Sequence, residues 1–189
     1  MKTSVDAPDW SSIPKPEDDG AAAHLAGMAL PSIPLAATDG ATVDLSALPG
    51  RVVVYAYPRT GIPGVENPPG WDLIPGARGC TPQSCAFRDH FAELVSLGVS
   101  GLFGLSTQDT AYQREVVERL HLPFPILSDG QFKLTEALRL PTFQTSGMKL
   151  LKRLALVIQD GKIERVFYPV FPPDQNARDI IAWLAARTR

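Results

Sequence analysis

The sequence predicts an α/β fold in which a central mixed sheet is flanked by helices. Strand-like and helix-like segments alternate along most of the chain, two strand segments are continuous apolar runs, and a hairpin precedes the last helix. The 189 residues suffice for one domain of ordinary size with some additional tail. We assign residues 26–189 to this domain. Residues 1–25, with prolines and an acidic run, are predicted to be a flexible N-terminal extension or an arm lying on the surface.

The first elements are predicted to be two short strands and one buried strand. Residues 35–45 contain Asp39-Gly40, a dipeptide typical of hairpin turns, between short apolar stretches. Residues 52–57 form a continuous β-branched and aromatic run, which is typical of a strand buried on both faces, and Pro58 ends it. Residues 61–79 are repeatedly interrupted by proline and glycine, so we predict a long loop, and loops of this length are usually functional.

A helix is predicted over residues 81–97. Phe87, Phe91 and Leu94 recur at helical spacing on one face, while charged residues take the other side. Pro82 has no amide hydrogen and therefore fits only the first turn, with Thr81 before it as the predicted N-cap.

The second half of the chain continues the alternation of strands and helices. We predict strands at 99–105 and 124–127, helices at 109–120 and 130–138, hairpin strands at 154–158 and 163–168, and a closing helix at 174–186. Asp160-Gly161 marks the hairpin turn, and Asp174 is the predicted cap of the last helix. An α/β sandwich with a terminal hairpin is the thioredoxin-like arrangement, although element order alone leaves other α/β folds open.

Composition argues against several classes of partner. The net charge is −2, with basic residues spread along the chain, which gives no electrostatic footprint for nucleic acid or for an acidic membrane surface. Two cysteines are too few for a four-thiolate zinc site and the three histidines lie far apart in sequence, so we expect no metal and no bound cofactor. No apolar run approaches the roughly 20 residues of a membrane helix, and the first residues lack the apolar region of a secretory signal. A cytoplasmic location is expected.

Cys80 and Cys85 lie at the start of the predicted 81–97 helix. Backbone N–H groups and the positive end of the helix dipole converge at Cys80, and both favour a thiolate, the form of cysteine that attacks electrophiles. In an intact helix, residues five apart point roughly 140° from each other with Cα atoms roughly 8 Å apart. A disulfide needs less than about 7 Å, so pairing would require the first turns to unwind. From spacing alone, two inert cysteines are equally compatible with the sequence.

The segment Gly79-Cys80-Thr81, followed by Cys85 and Phe87-Arg88-Asp89, resembles the active-site segment of the peroxiredoxins. The similarity is greatest to the Q-type, or bacterioferritin comigratory protein, branch. Further stretches match in the expected order, namely residues 48–55 with Tyr57-Pro58, residues 122–129, and Arg153 at the opening of the hairpin strand. The resemblance extends from about residue 28 to the C-terminus. A single cysteine pair would be weak evidence, whereas four ordered matches are strong.

The resemblance implies a thiol peroxidase on a thioredoxin fold. Cys80 would be the peroxidatic cysteine, Cys85 the resolving cysteine, and Arg153 the cation that stabilises the thiolate and the peroxide. A hydroperoxide would be the substrate, reduced through a Cys80 sulfenic acid and an intramolecular disulfide. Thioredoxin or a similar dithiol protein would be the reductant of this atypical two-cysteine enzyme, acting as a monomer or homodimer.

The chain departs from the family pattern just before Cys80. Leu73 and Ala77 stand where the family has a proline and a peroxide-binding threonine, and residues 64–78 resemble an insertion. Thr60 and Thr81 carry the nearest hydroxyls in sequence, and we take Thr81 as a site residue. Pro75 could restore shielding of the thiolate, and Arg78 could supply a second cation.

Other functions stay open at the level of sequence. The chain could be a thioredoxin-fold redox sensor or binding protein with little peroxidase turnover, in which the 64–78 loop contacts a partner. Cys85 as the attacking thiol is less compatible with the family pattern. A disulfide oxidoreductase is disfavoured because its usual pair of cysteines separated by two residues is absent.

Overall fold

A computed structural model describes residues 9–187 of the chain. The strands are β1 Pro34–Ala37, β2 Thr42–Asp44, β3 Arg51–Ala56, β4 Val99–Ser106, β5 Ile126–Ser128, β6 Thr142–Thr145, β7 Met148–Leu151, β8 Leu154–Gln159 and β9 Lys162–Phe167. The helices are α1 Cys80–Asp89, α2 Phe91–Ser96, α3 Thr110–Leu120, α4 Lys133–Leu138 and α5 Asn176–Arg187. Within residues 9–187, no helix combines the length and apolar character needed to span a membrane.

Seven strands form one mixed sheet in the order β2-β1-β5-β4-β3-β8-β9. The central strands β3, β4 and β5 run parallel, whereas β8 pairs antiparallel with β3 and β1 pairs antiparallel with β5. Helices cover the sheet, and the structure confirms the predicted thioredoxin-like α/β architecture.

The alternation of side chains along β3 divides the core into two layers. Val53, Tyr55 and the following Tyr57 pack beneath α1, α2, α3 and α5, because their side chains share one face of the strand. Val52 and Val54 face the opposite layer, which α4 and part of the N-terminal arm cover. The continuous apolar run is thus explained by burial on both faces, as the sequence predicted.

Several predicted elements have different bounds. The helix expected over residues 81–97 is two helices, which separate at His90, where φ is −101° and ψ is 9°. The closing helix begins at Asn176, and the prediction of Asp174 as its cap is wrong, because Asp174 lies inside a 3-10 turn, Pro173–Gln175, ahead of the helix. The β6–β7 hairpin was not predicted from the sequence, and within residues 9–187 its two strands pair only with each other.

The hairpin β6–β7 packs against the long loop that precedes α1. Trp71 on this loop is buried and contacts Phe143, with ring centroids 6.4 Å apart, and Leu150 and Ala77 complete a small satellite core. The loop prediction holds apart from one 3-10 turn, Trp71–Leu73. Burial of a tryptophan offsets part of the entropy of ordering a glycine- and proline-rich segment.

The described part of the N-terminal arm, residues 9–25, lies against the domain. The Trp10 indole Nε1 donates to Asp174 at 3.1 Å, and Asp19 accepts hydrogen bonds from Lys152 at 2.6 Å and Tyr168 at 2.7 Å. Ile13 and Leu25 are buried. The domain boundary near residue 25 and flexibility of the extension stay predictions, and residues 1–8 lie outside the described residues.

Candidate active site

The site begins where β3 ends and α1 starts. Gly79 is the N-cap of α1 and adopts φ 108°, in the left-handed region that favours glycine. A Cβ atom there would also lie 2.5 Å from Pro173 Cγ and 2.9 Å from the Trp10 ring, so only glycine fits. The predicted N-cap Thr81 is wrong, since Thr81 lies inside the first turn, together with Pro82 as expected.

Cys80 is the first residue of α1 and is buried, with 3% of its surface exposed. Its Sγ lies 3.3 Å from Nη2 of Arg153 and 3.6 Å from the Ala77 carbonyl oxygen. Arg153 reaches this point because it immediately precedes β8, and Leu154 at the start of β8 pairs with Ala56 at the end of β3. The sheet therefore brings together two residues that are 73 positions apart in sequence.

Arg153 is a buried cation without a carboxylate partner in residues 9–187. It is 3% exposed, and it forms none of the ion pairs found in the described part of the chain. Its Nη2 instead donates to the carbonyls of Gly76, Ala77 and Arg78, each at 3.2 Å. A buried charge is costly unless an opposite charge and hydrogen bonds compensate it. The Cys80 sulfur lies against this guanidinium and is a neighbouring group that could carry the opposite charge.

A buried amide pair connects Arg153 to the C-terminal helix. Arg153 Nη1 donates to Gln83 Oε1, and Gln83 Nε2 donates to Asn176 Oδ1 at 2.9 Å. Gln83 and Asn176 are both buried, at 0% and 1% exposure. Gln83 lies in the first turn of α1 and makes the first helical hydrogen bond, from its backbone N–H to Gly79 O. The chain of contacts therefore fixes the guanidinium and the start of α1 together.

A cavity of about 260 Å³ opens at Cys80. Its lining residues come from the N-terminal arm, the loop before α1 and the first turn of α1. They are Trp10, Arg59, Gly61, Asn67, Trp71, Arg78, Gly79, Cys80, Thr81 and Pro82. The loop at 64–78, which resembled an insertion, thus contributes directly to the walls of the site.

This chain lacks the threonine that the family pattern has before the reactive cysteine, and the residues considered in its place lie in different surroundings. Ala77 is fully buried, Leu73 is 76% exposed on the surface, and Pro75 lines a different cavity, on whose wall Arg153 also lies. Thr81 lines the Cys80 cavity. Thr60 is 1% exposed, lies between cavity residues Arg59 and Gly61, and its Oγ1 has no hydrogen-bond partner among the described residues.

Cys85 lies on the same intact helix as Cys80, one turn and a half further along. It is half-buried, and burial is the main cause that raises the pKa of its thiol, partly offset by the positive charge of Arg88. Neither cysteine is bonded to the other. With the helix intact, their Cα atoms lie about 8 Å apart, beyond the reach of a disulfide.

Aromatic side chains form the floor beneath α1. The Tyr55 ring stacks on Phe87 with centroids 4.3 Å apart, and its hydroxyl donates to Ser84 at 3.0 Å. Burial raises the pKa of both Tyr55 and Tyr57, so the two phenols stay neutral near pH 7. The aromatic layer beneath α1 therefore carries no charge near pH 7.

The structure adds residues that the sequence did not single out for the site, among them Gln83, Asn176, Arg59 and Trp10. Gln83 could have been found from the sequence, because it is a polar residue in the same helical turn as the candidate nucleophile Cys80. The sequence gives no indication of Asn176, Arg59 and Trp10 as site residues. They reach the site only through the folding of the C-terminal turn, the loop and the arm. Within residues 9–187, no cluster of three or more histidine, cysteine or acidic residues is suited to a metal ion.

Comparisons with known proteins show the family of the chain and agree with its fold. A family model described as Redoxin matches residues 25–181. The chain is 33% identical over 164 residues to peroxiredoxin Bcp of Escherichia coli (strain K12), a match covering 84% of this chain and 94% of that protein. It is 30% identical over 151 residues to the chloroplastic peroxiredoxin Q of Oryza sativa subsp. japonica, covering 79% of this chain. The match spans 62% of the rice protein's length. The crystal structure of peroxidoxin BcpB from Mycobacterium tuberculosis superposes with a TM-score of 0.68 at 26% identity, covering 85% of this chain and 96% of that one.

Proposed function

Because the chain belongs to the redoxin family and, within it, to the Q-type peroxiredoxins, we propose that it is a thiol-dependent peroxidase acting on hydrogen peroxide or organic hydroperoxides. One observation carries the proposal for this chain. The buried guanidinium of Arg153 lies 3.3 Å from Cys80 Sγ and has no carboxylate partner in residues 9–187. This arrangement favours a thiolate at the head of α1, facing an open cavity.

In the first step, Cys80 is the nucleophile. Its thiolate attacks the terminal oxygen of the hydroperoxide, so that an S–O bond forms as the O–O bond breaks. The sulfur is oxidised to sulfenic acid, and the peroxide is reduced. The departing oxygen takes a proton and leaves as an alcohol, or as water when hydrogen peroxide is the substrate. Arg153 stabilises the thiolate and then the negative charge that develops on the departing oxygen.

In the second step, Cys85 is the resolving cysteine. Its thiolate attacks the sulfenic sulfur of Cys80, the S–S bond forms, and hydroxide leaves and is protonated to water. The first turn of α1 must unwind for the two sulfurs to meet, which breaks the hydrogen bond from Gln83 N–H to Gly79 O. Oxidation and local unfolding are thereby coupled.

A dithiol protein such as thioredoxin then supplies two electrons and regenerates both thiols. The chain would thus be an atypical two-cysteine peroxiredoxin, working as a monomer or homodimer in a reducing compartment, for which the cytoplasm is our proposal. The resolving thiol is half-buried in the folded helix. Unwinding therefore also exposes the disulfide to its reductant.

Two hydroxyls are candidates for holding the peroxide beside Cys80. Thr81, the residue proposed from the sequence, lines the cavity together with Cys80. Thr60 offers a buried Oγ1 that has no partner among the described residues, which suits a group reserved for a ligand. Thr60→Val and Thr81→Val keep the side-chain shape and remove the hydroxyl. The variant with the larger loss in the rate of Cys80 oxidation identifies the donor.

The function is tested by peroxide consumption with a thioredoxin system. We expect Cys80→Ser to abolish turnover, and Cys85→Ser to consume one peroxide per protein and then stop. Mass spectrometry should find sulfenic acid on Cys80 in the second variant. Undiminished turnover by Cys80→Ser would contradict the proposal.

A redox sensor with little turnover is the second candidate. It is favoured by the exposed Leu73, at 76%, on the loop that lines the site, since such a side chain could contact a partner. This candidate predicts a single oxidation of Cys80 and oxidation-dependent binding. Sustained thioredoxin-dependent turnover would exclude it.

A further inference from the structure

On the basis of the peroxidase function above, we propose that the site selects small organic hydroperoxides that carry a negatively charged group, held at the cavity mouth by Arg59 and Arg78. Both arginines line the Cys80 cavity. Arg59 follows β3 in the chain, and Arg78 precedes α1. They are separate from the buried Arg153, which contacts the sulfur itself.

The charge of the cavity wall is one-sided. Its ten lining residues include two guanidinium groups and no carboxylate. The N-terminus of α1, a helix of ten residues, also opens here and adds positive potential. A cavity lined by one sign of charge concentrates ligands of the opposite sign and speeds their arrival.

Arg59 is available for a ligand. Its guanidinium lies 5.5 Å from the centroid of the Tyr112 ring, and within residues 9–187 it forms neither an ion pair nor a hydrogen bond. Stacking on the ring orients the group without using its N–H donors. A carboxylate can accept two parallel hydrogen bonds from such a planar group.

Arg78 is engaged only weakly by protein. It pairs with Asp72 at 3.3 Å, but both side chains are about half exposed, at 48% and 58%, so the pair is readily exchanged for a ligand. Asp174 accepts the Trp10 indole N–H. Neither Asp72 nor Asp174 lines the cavity.

The cavity also limits the size of the substrate. Its volume of about 260 Å³ lies below the range of about 300–1,000 Å³ typical of sites for drug-sized ligands. Trp10 and Trp71 supply apolar wall for the organic part, and Asn67 supplies an amide. The reaction is that of Cys80 with the hydroperoxide, and the anionic group of the substrate takes no part in bond making or breaking.

The test compares two hydroperoxides that differ in charge. Reduced protein is mixed with cumene hydroperoxide or its para-carboxy derivative, and oxidation is followed in a stopped-flow instrument by tryptophan fluorescence, with hydrogen peroxide as a third substrate. We expect the carboxylate to react at least about fivefold faster than the neutral compound at low ionic strength, and the ratio to fall toward one at high salt.

Variants that remove one positive charge show which arginines cause the faster reaction of the carboxylate. Arg59→Gln and Arg78→Gln should each lower the ratio of the two rates, whereas Arg165→Gln, which removes an exposed arginine on β9 outside the cavity, should leave it as in the parent. Equal rates for the two cumene compounds at low salt overturn the selectivity, even if a variant fails to fold. The hydrogen peroxide measurement then separates the two proposals, because failure with all three substrates overturns the peroxidase function as well.

Discussion

The two cysteines lie on one helix, five residues apart, and their surroundings are opposite in character. Cys80 is 3% exposed, lies at the positive end of α1 and contacts a buried guanidinium. Cys85 is half-buried, its thiol forms no side-chain hydrogen bond among the described residues, and its pKa is raised by burial. Arg153 contacts the first thiol, whereas Arg88 and Asp89 act on the second from the protein surface.

The contrast shows that two cysteines on one short helix can differ in reactivity because their surroundings differ. At Cys80, a buried guanidinium 3.3 Å from the sulfur and the start of α1 place positive charge beside the proposed nucleophile. At Cys85 the environment favours the neutral thiol, so the second cysteine stays unreactive until the helix opens. In the proposed reaction, the difference between these two surroundings explains why Cys80 attacks first and Cys85 second.

Removal of Arg153 should weaken this contrast most strongly. In Arg153→Met the Cys80 sulfur loses its cationic partner, and we expect the rate of Cys80 oxidation by hydrogen peroxide to fall by about 100-fold. Stopped-flow fluorescence measures this rate. Arg51→Met, which removes a surface ion pair with Glu164, is the matched control and should keep the parent rate. Oxidation of Arg153→Met at the parent rate would show that the guanidinium is not needed.

The raised pKa of Cys85 predicts how resolution depends on pH. Since the pKa is raised, little thiolate is present near pH 7, and its fraction grows about tenfold per pH unit until the pKa is reached. We expect the rate of disulfide formation to rise with pH in this way after Cys80 has been oxidised. Sequential-mixing experiments, in which sulfenic acid is formed first and the pH is then changed, check this. A rate independent of pH between 7 and about 9 would contradict it.

The amide pair of Gln83 and Asn176 should slow the unwinding that resolution requires. Asn176→Ala removes the partner of Gln83 Nε2, so the first turn of α1 loses one buried hydrogen bond. We expect disulfide formation to become about fivefold faster, since one such bond contributes about 1 kcal/mol. Arg187→Ala, which removes a surface ion pair at the far end of α5, is the control. Slower resolution in Asn176→Ala would mean that the pair promotes unwinding.

The sequence was sufficient for the fold where local pattern and burial agree. The β3 run and the Asp160-Gly161 turn were predicted because their side chains and backbone angles are set locally. The β6–β7 hairpin was missed because its residues alternate weakly and are stabilised by Trp71 on a distant loop. The break at His90 was missed because the apolar spacing of Phe87, Phe91 and Leu94 continues through it.

The residues of the candidate site also divide into those that the sequence predicts and those whose position depends on tertiary packing. Cys80, Cys85 and Arg153 could be selected from sequence because a family pattern surrounds each of them. The loop before Cys80 departs from that pattern, so the positions of Thr60, Arg59 and Asn67 depended on how nineteen residues, 61–79, pack onto β6–β7. Tertiary contacts of this kind leave no periodic signal in the sequence.

The surface charges beside Cys85 should tune its reactivity in opposite directions. Arg88 stabilises the Cys85 thiolate and Asp89 destabilises it, and the two side chains form an exposed ion pair at 2.9 Å. Arg88→Gln should therefore raise the pKa of Cys85 further and slow resolution by about threefold near pH 7, whereas Asp89→Asn should lower the pKa and speed resolution by a similar factor. Disulfide formation in each variant, measured against pH, checks the signs. Changes in the same direction would show that loss of the ion pair itself, which both variants share, outweighs the effect of each charge on the thiolate.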